Sequence, residues 1–204
     1  MNSFTLAKGM TVPNLDGIHE CYKVEERNGA FVFTANVSNQ NIEKLIRSFC
    51  ESLEEPCFFI LEIPTNEGDE SELRKENTSP FHCDVFYWDG LSVCGLLEIV
   101  RKHGDLLIND GLTCFGFASH ASHDELYFGK YNIATIFSSD EERHRGLFAR
   151  LNIPQEEEIK TVWDSFSQTA PGRAERISIN GKDIYNVLDS LKTEGLYFAE
   201  RREQ

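Results

Sequence analysis

Three short runs in this 204-residue chain gather side chains that can ligate a metal, move a proton or attack a carbon. In Ser119-His120-Ala121-Ser122-His123-Asp124-Glu125, imidazoles and carboxylates fall within a single turn's reach of one another. Both are ligand types for zinc and its neighbours. On a helical turn His120 and His123 would share a face, so His120, His123 and Asp124 are the candidate metal ligands. The competing reading is a polar loop in which Ser122 and Glu125 form a capping box. In His82-Cys83-Asp84, a strand would put His82 and Asp84 on one face and Cys83 on the other. A thiol needs a base to become a nucleophile at neutral pH. His82, His120 or His123 would serve if the fold brought one to Cys83. His82, Cys83, His120 and His123 are therefore the catalytic candidates, and a core thiol beside surface histidines is the alternative. His19-Glu20-Cys21 repeats these residue types near an expected edge strand. Glu62, flanked by Leu61 and Ile63, is a proton-donor candidate if burial favours its neutral form; an Arg partner or solvent is the commoner fate.

The signatures of common chemistries are missing. The sequence holds no G-x-x-x-x-G-K-[ST] phosphate loop, no G-x-G-x-x-G, no H-E-x-x-H and no G-x-S-x-G elbow. The six cysteines include no C-x-x-C pair and no zinc-module spacing. They are expected to be reduced, as in a cytosolic protein. No cofactor is implied. The balance favours a binding protein, with a metal- or Cys/His-dependent hydrolase built on His82/Cys83 and His120/His123 as the alternative.

Charge is the strongest global signal. Thirty-four acids against twenty Lys and Arg give −14. Such a field repels nucleic-acid backbones and anionic lipid and attracts basic surfaces. The expected partner is a basic protein, with neither nucleic acid nor membrane bound directly. A mimic of nucleic acid would use the same charge. No leader and no apolar run of membrane-spanning length is seen, so a cytoplasmic location is expected. The acids Glu67, Asp69, Glu70 and Glu72 lie in residues 64–80, which carry Pro64, Gly68 and Pro80 and read as one long loop. They are the candidate partner-binding residues. In overall character the chain resembles bacterial immunity proteins, which are small, acidic, cytosolic and bind basic toxin domains. That resemblance implies an inhibitory binding role and assigns no residue roles.

The elements that must position these groups follow from periodicity. Strands are expected at 20–25 and 30–36 around the Asn28-Gly29 turn. A helix opened by Ser38 buries Ile42, Leu45, Ile46, Phe49, Cys50 and Leu53, and Pro56 stops it. Cys57–Ile63, apolar on both faces, belongs inside a sheet. Phe81–Trp88 reads as a strand ended by an Asp89-Gly90 turn. A helix from Ser92 ends at Gly104. Strands are expected at 112–118 and 131–137, then a helix capped by Ser139 and Glu142 to about Arg150. A further helix begins at Pro154, with Trp163 on its core face. A strand at 174–179, the Asn180-Gly181 turn, a helix containing Ile184, Val187, Leu188 and Leu191, and a strand at 196–200 close the chain. Hairpins mixed with helices predict an α+β fold: a mostly antiparallel mixed sheet packed with four to five amphipathic helices on a single core. One domain spanning 1–204 is expected, with the 64–80 loop as a place where it could divide into two lobes.

Overall fold

Asn28 and Gly29 take φ values of 54° and 80°, the left-handed pair that a two-residue hairpin requires. Around that turn β2 (Cys21–Arg27) pairs with β3 (Ala30–Asn36), Arg27 opposite Ala30. The computed structural model describes residues 3–76 and 78–203. In chain order its elements are β1 (Met10–Thr11), β2, β3, α1 (Asn39–Cys50), β4 (Cys57–Pro64), α2 (Glu67–Leu73), β5 (His82–Leu91), α3 (Val93–Asn109), β6 (Cys114–Ser119), β7 (Glu125–Phe128), β8 (Ile133–Ser138), α4 (Glu141–Arg150), β9 (Arg173–Ala174), α5 (Ile184–Glu194) and β10 (Tyr197–Glu203).

Among the described residues, eight strands form one antiparallel sheet in the order β10-β5-β4-β6-β7-β8-β3-β2, and β1 pairs with β9 in a second, two-stranded sheet. The fold is α+β, as the sequence predicts. Strand β4 lies between β5 and β6, and its run is apolar on both faces because Phe59, Leu61 and Ile63 join the main core while Ile60 and Phe58 join the patch on the other side. Strand alternation divides the sheet residues. Phe33, Phe59, Leu61, Phe86, Phe115, Phe117, Leu126 and Ile136 point to one side. There they meet the apolar stripes of α1, α3, α4 and α5 in a single cluster. Phe33, Phe49, Phe59, Phe117 and Phe148 are fully buried in it, each contributing roughly 1.5–3 kcal/mol of transfer free energy. On the opposite face Ile60, Cys83 and Val85 form a small patch with Phe58 and Tyr87. A satellite cluster of Phe4, Ala7, Met10, Ile18, Tyr131 and Val162 seats the N-terminal segment.

That segment is fastened where three backbones cross. Gly9 N–H donates to the Asn109 carbonyl, Glu175 N–H to Gly9, and Gly111 N–H to Glu175, at 2.7–3.0 Å. A Cβ on Gly9 would stand 2.4 Å from the Gly111 nitrogen, and one on Gly111 only 2.1 Å from the Gly9 oxygen. Both positions therefore require glycine because backbone, not side chain, occupies the space.

Several local expectations are corrected. The 64–80 segment is not one long loop: it contains α2, because Asn66 accepts from Asp69 N–H and acids fill the first turn. Helix α1 ends at Cys50, six residues before Pro56, and the Ser38 hydroxyl accepts from Thr5 N–H instead of capping α1. Strand β5 does not stop at Asp89-Gly90 but continues through a bulge to Leu91, with Gly90 at φ 73°. Helix α3 runs through Gly104 to Asn109, since Leu106 and Leu107 extend its buried stripe. Glu125 does not cap a helix. It opens β7, a strand the sequence reading missed, and residues 120–124 turn the β6–β7 hairpin. The cap of α4 is Asp140, whose carboxylate accepts from Arg143 N–H.

The expected helix after Pro154 does not form. Tyr22 N–H donates to the Pro154 carbonyl and Glu156 N–H to the Tyr22 carbonyl, so this segment lies along the outer edge of β2. Its backbone groups are thereby committed to the sheet. A short 3₁₀ turn at Val162–Ser165 follows, and Trp163 is 51% exposed rather than core. Of the strand expected at 174–179, only its start is in a strand: β9 (Arg173–Ala174) pairs with β1, Glu175 bonds Gly9 and Gly111, and Ile179 bridges back to Lys182 around the turn.

Candidate functional site

The acids singled out in the sequence all stand on α2, and the structure divides them. Asp69 is bound by the Arg201 guanidinium at 2.8 Å. The bond from Arg201, then that from Asn66, holds the Asp69 carboxyl below its usual range. Glu70 takes His82 Nδ1 at 3.1 Å and His82 N–H at 3.2 Å. Arg201 also reaches the buried Asp84, which accepts from the Thr65 hydroxyl as well. One guanidinium thus straps α2 to β5 through β10. Glu67 and Glu72 stay exposed, and among the described residues neither makes an ion pair. Glu67 borders an open groove of about 370 Å³, lined also by Glu70, Ser71, Arg74, Lys75 and Glu76. Beside it stand two uncovered apolar side chains, Leu73 at 41% exposure and Phe81 at 58%. The Arg74 guanidinium lies 3.8 Å over the Phe81 ring, which holds that ring in place.

The catalytic and metal candidates are not gathered. His82 opens β5, and Cys83 beside it is buried with Ile60 and Val85 on the opposite face. His120 Nε2 bonds Asp89 at 2.9 Å, and its ring packs on Phe58 at 4.5 Å. Asp89 stands seven residues beyond His82 along β5, roughly 23 Å at the rise of a strand. His123 is exposed in the hairpin turn with φ 58°. Asp124 is fully buried and turned inward, away from any ligand role shared with His120 and His123. Its carboxylate accepts from Ser122 and Ser138 hydroxyls and from Arg143, with His144 Nε2 at 3.5 Å. Burial pushes the Asp124 carboxyl up, but bonds from His144, Ser122 and Ser138 and the Arg143 charge outweigh it and hold it below the usual range. His144, itself fully buried, packs between Phe33 and Phe49. This network joins the β6–β7 turn, β8 and α4. Arg143 and His144 are not among the sequence candidates, because they stand on α4, outside the Ser119–Glu125 run that contains Asp124.

Glu62 has its Arg partner, Arg202 at 3.4 Å. The carboxyl whose neutral form is favoured is on β7: burial, then the Glu62 charge, pushes Glu125 up. The aromatic residues of β5 divide by strand alternation: Phe86 and the partly buried Trp88 face the main core, and Tyr87 faces the opposite patch.

One group of ligand atoms does converge. Among the described residues, His19, Cys21 and Glu156 hold an imidazole nitrogen, a thiol sulfur and a carboxylate oxygen all within 4.8 Å of one another. His19 Nε2 bonds Glu156 Oε1 at 2.7 Å. Burial, then the Glu156 charge, pushes the Cys21 thiol up to about 11. The thiol is therefore protonated at neutral pH and is no ready nucleophile. The sequence shows two of these three ligands in His19-Glu20-Cys21. Glu156 arrives only because residues 154–156 run along β2.

No protein family matches this chain, and no curated protein and no solved structure is found similar to it.

Proposed function

We propose that the protein is a binding module that engages a basic protein, acting as an inhibitor of it in the manner of the immunity proteins it resembles in character. The observation that carries this reading is the surface at α2. Uncovered Phe81 and Leu73 stand beside an open groove whose lining includes Glu67, Glu70 and Glu76 together with Arg74 and Lys75, and Glu72 is exposed on the same helix. Aromatic anchors ringed by charge are the common form of a binding hot spot. The acids supply attraction and orientation for a basic partner, and the whole-chain charge of −14 adds long-range steering. Glu67 and Glu72 are the acids available to a partner. Asp69 and Glu70 instead hold α2 rigid by their bonds to Arg201 and His82, which lowers the ordering cost of docking. A hydrolase built on His82, Cys83, His120 and His123 finds no support in their placement.

The test is affinity capture from the source lysate at low and high salt, with the wild type beside a Phe81→Ala/Glu67→Lys/Glu72→Lys variant. The expected result is a dominant basic protein, released as salt rises and retained at least ~10-fold less by the variant. Retention indifferent to both salt and the substitutions would overturn the proposal.

A further inference from the structure

The geometry points to a second site: His19, Cys21 and Glu156 form a three-ligand centre for a divalent transition metal of the zinc class. His19 and Cys21 are two residues apart across a bend at Glu20, just where β2 begins, and their donor atoms lie within 4.8 Å of each other. Glu156 is fixed opposite them by paired backbone bonds, Tyr22 N–H to the Pro154 carbonyl and Glu156 N–H to the Tyr22 carbonyl, at 2.9 and 2.8 Å. The site is thus held by the sheet ladder, not by a loose loop, and its donors come from two separate segments of chain.

The donor set selects the ion. Thiolate with imidazole favours zinc and its late first-row neighbours over magnesium or calcium, which take oxygen alone. Tetrahedral zinc with bonds of ~2.0–2.3 Å places its ligand atoms roughly 3.3–3.8 Å apart. The three donors here lie within 4.8 Å, with His19 and Glu156 in direct contact at 2.7 Å. An ion would part that contact by about half an ångström and draw the sulfur in by no more than about one, relative to those zinc distances. His19 and Glu156 have room to move, since their side chains are 55% and 36% exposed. Coordination replaces the thiol proton, which leaves to solvent.

A further observation favours a hydrated ion. Asn36, opposite Cys21 on β3 and fully buried, places its Nδ2 3.9 Å from the Cys21 sulfur and 2.8 Å from the Lys160 carbonyl. Its Oδ1 is buried and, among the described residues, has no hydrogen-bond partner. That oxygen lies within about 6 Å of the sulfur by the dimensions of an amide. It is an acceptor suited to a metal-bound water in the fourth position. Three protein ligands plus water is the arrangement of an open zinc centre.

The experiment is titration of chelator-treated protein with cobalt(II), followed by displacement with zinc(II), read by visible and near-ultraviolet absorption. The expected result is one cobalt per chain with a thiolate charge-transfer band, displaced stoichiometrically by zinc. His19→Ala and Glu156→Gln, both partly exposed positions, should each weaken zinc at least ~10-fold. Cys21→Ser should abolish the charge-transfer band; should that core variant fail to fold, the other two still decide. A Glu157→Gln/Glu158→Gln control should bind as wild type does. Absence of a thiolate band, or binding equally insensitive to His19→Ala and Glu156→Gln, would overturn the site and leave only diffuse attraction of cations to an acidic surface.

Discussion

Replacing Arg143 by Met should cost this protein about 3 kcal/mol, because it strands a buried charge. Asp124 has no exposed surface. Its carboxylate is served by two hydroxyls, the Arg143 guanidinium and a nearby imidazole. Methionine keeps most of the arginine's apolar stem and removes the countercharge. Removing one partner of a buried pair typically costs ~3–5 kcal/mol. The lower end applies here, since Arg143 keeps 26% of its side chain in solvent and the two hydroxyls remain. For a domain of this size, ~3 kcal/mol lowers Tm by roughly 6–12 °C. Thermal unfolding at pH 7, followed by circular dichroism, reads this directly. Adding Asp124→Asn to Arg143→Met should restore at least ~1 kcal/mol, because the orphaned charge is gone. A Tm for Arg143→Met within about 2 °C of wild type, or a double variant no more stable than the single, would refute the reasoning.

Two further outcomes are expected. The Asp124 carboxyl is held below its usual range in the folded protein, so as pH falls the unfolded chain takes up this proton first. The stability it confers is intact above about pH 4 and lost as pH drops below that value. Asp124→Asn should therefore flatten the acid limb of the stability curve, and an unchanged limb would mean other carboxylates govern it. Gly9→Ala would drive a Cβ against the Gly111 nitrogen at 2.4 Å and the Glu175 oxygen at 2.5 Å. It should cost about 3 kcal/mol in urea unfolding, whereas a loss under ~0.5 kcal/mol would show that the backbone crossing yields easily.

Wherever a signal was local, the sequence reading met the structure. Asn28-Gly29 and Asn180-Gly181 both carry the positive φ values of tight turns. The stripe from Ile42 to Cys50 is buried in α1, and that from Ile184 to Leu191 in α5. The misses came where distant backbone overrode local preference. Residues after Pro154 have the acids and apolar spacing of a helix, yet their carbonyl and amide groups complete the edge of β2. Trp163 consequently stands in solvent. Helix α2 was hidden because its acids looked like loop charge and it buries no residue. The site residues followed the same rule. His19 and Cys21 were visible as neighbours, but Glu156 lies 135 residues beyond Cys21, and no spacing rule reaches that far. Asp124, read as a ligand, is instead the hub of a buried network whose other members, Ser138, Arg143 and His144, come from β8 and α4.

The position of β10 sets the order in which this sheet can be finished. Every other strand of the large sheet precedes residue 139 in the chain, but β10, which covers β5, begins only at Tyr197. On a translating ribosome β5 therefore emerges, pairs with β4, and then waits through more than a hundred residues of synthesis with its other edge bare. An unpaired edge of that kind invites pairing with other chains. Arg201 arrives with the last strand and closes on Asp84 and Asp69 together. A nascent or truncated chain lacking it would keep both an open edge and an unneutralised buried carboxylate, so the docking of β10 is the step that closes this edge of the sheet.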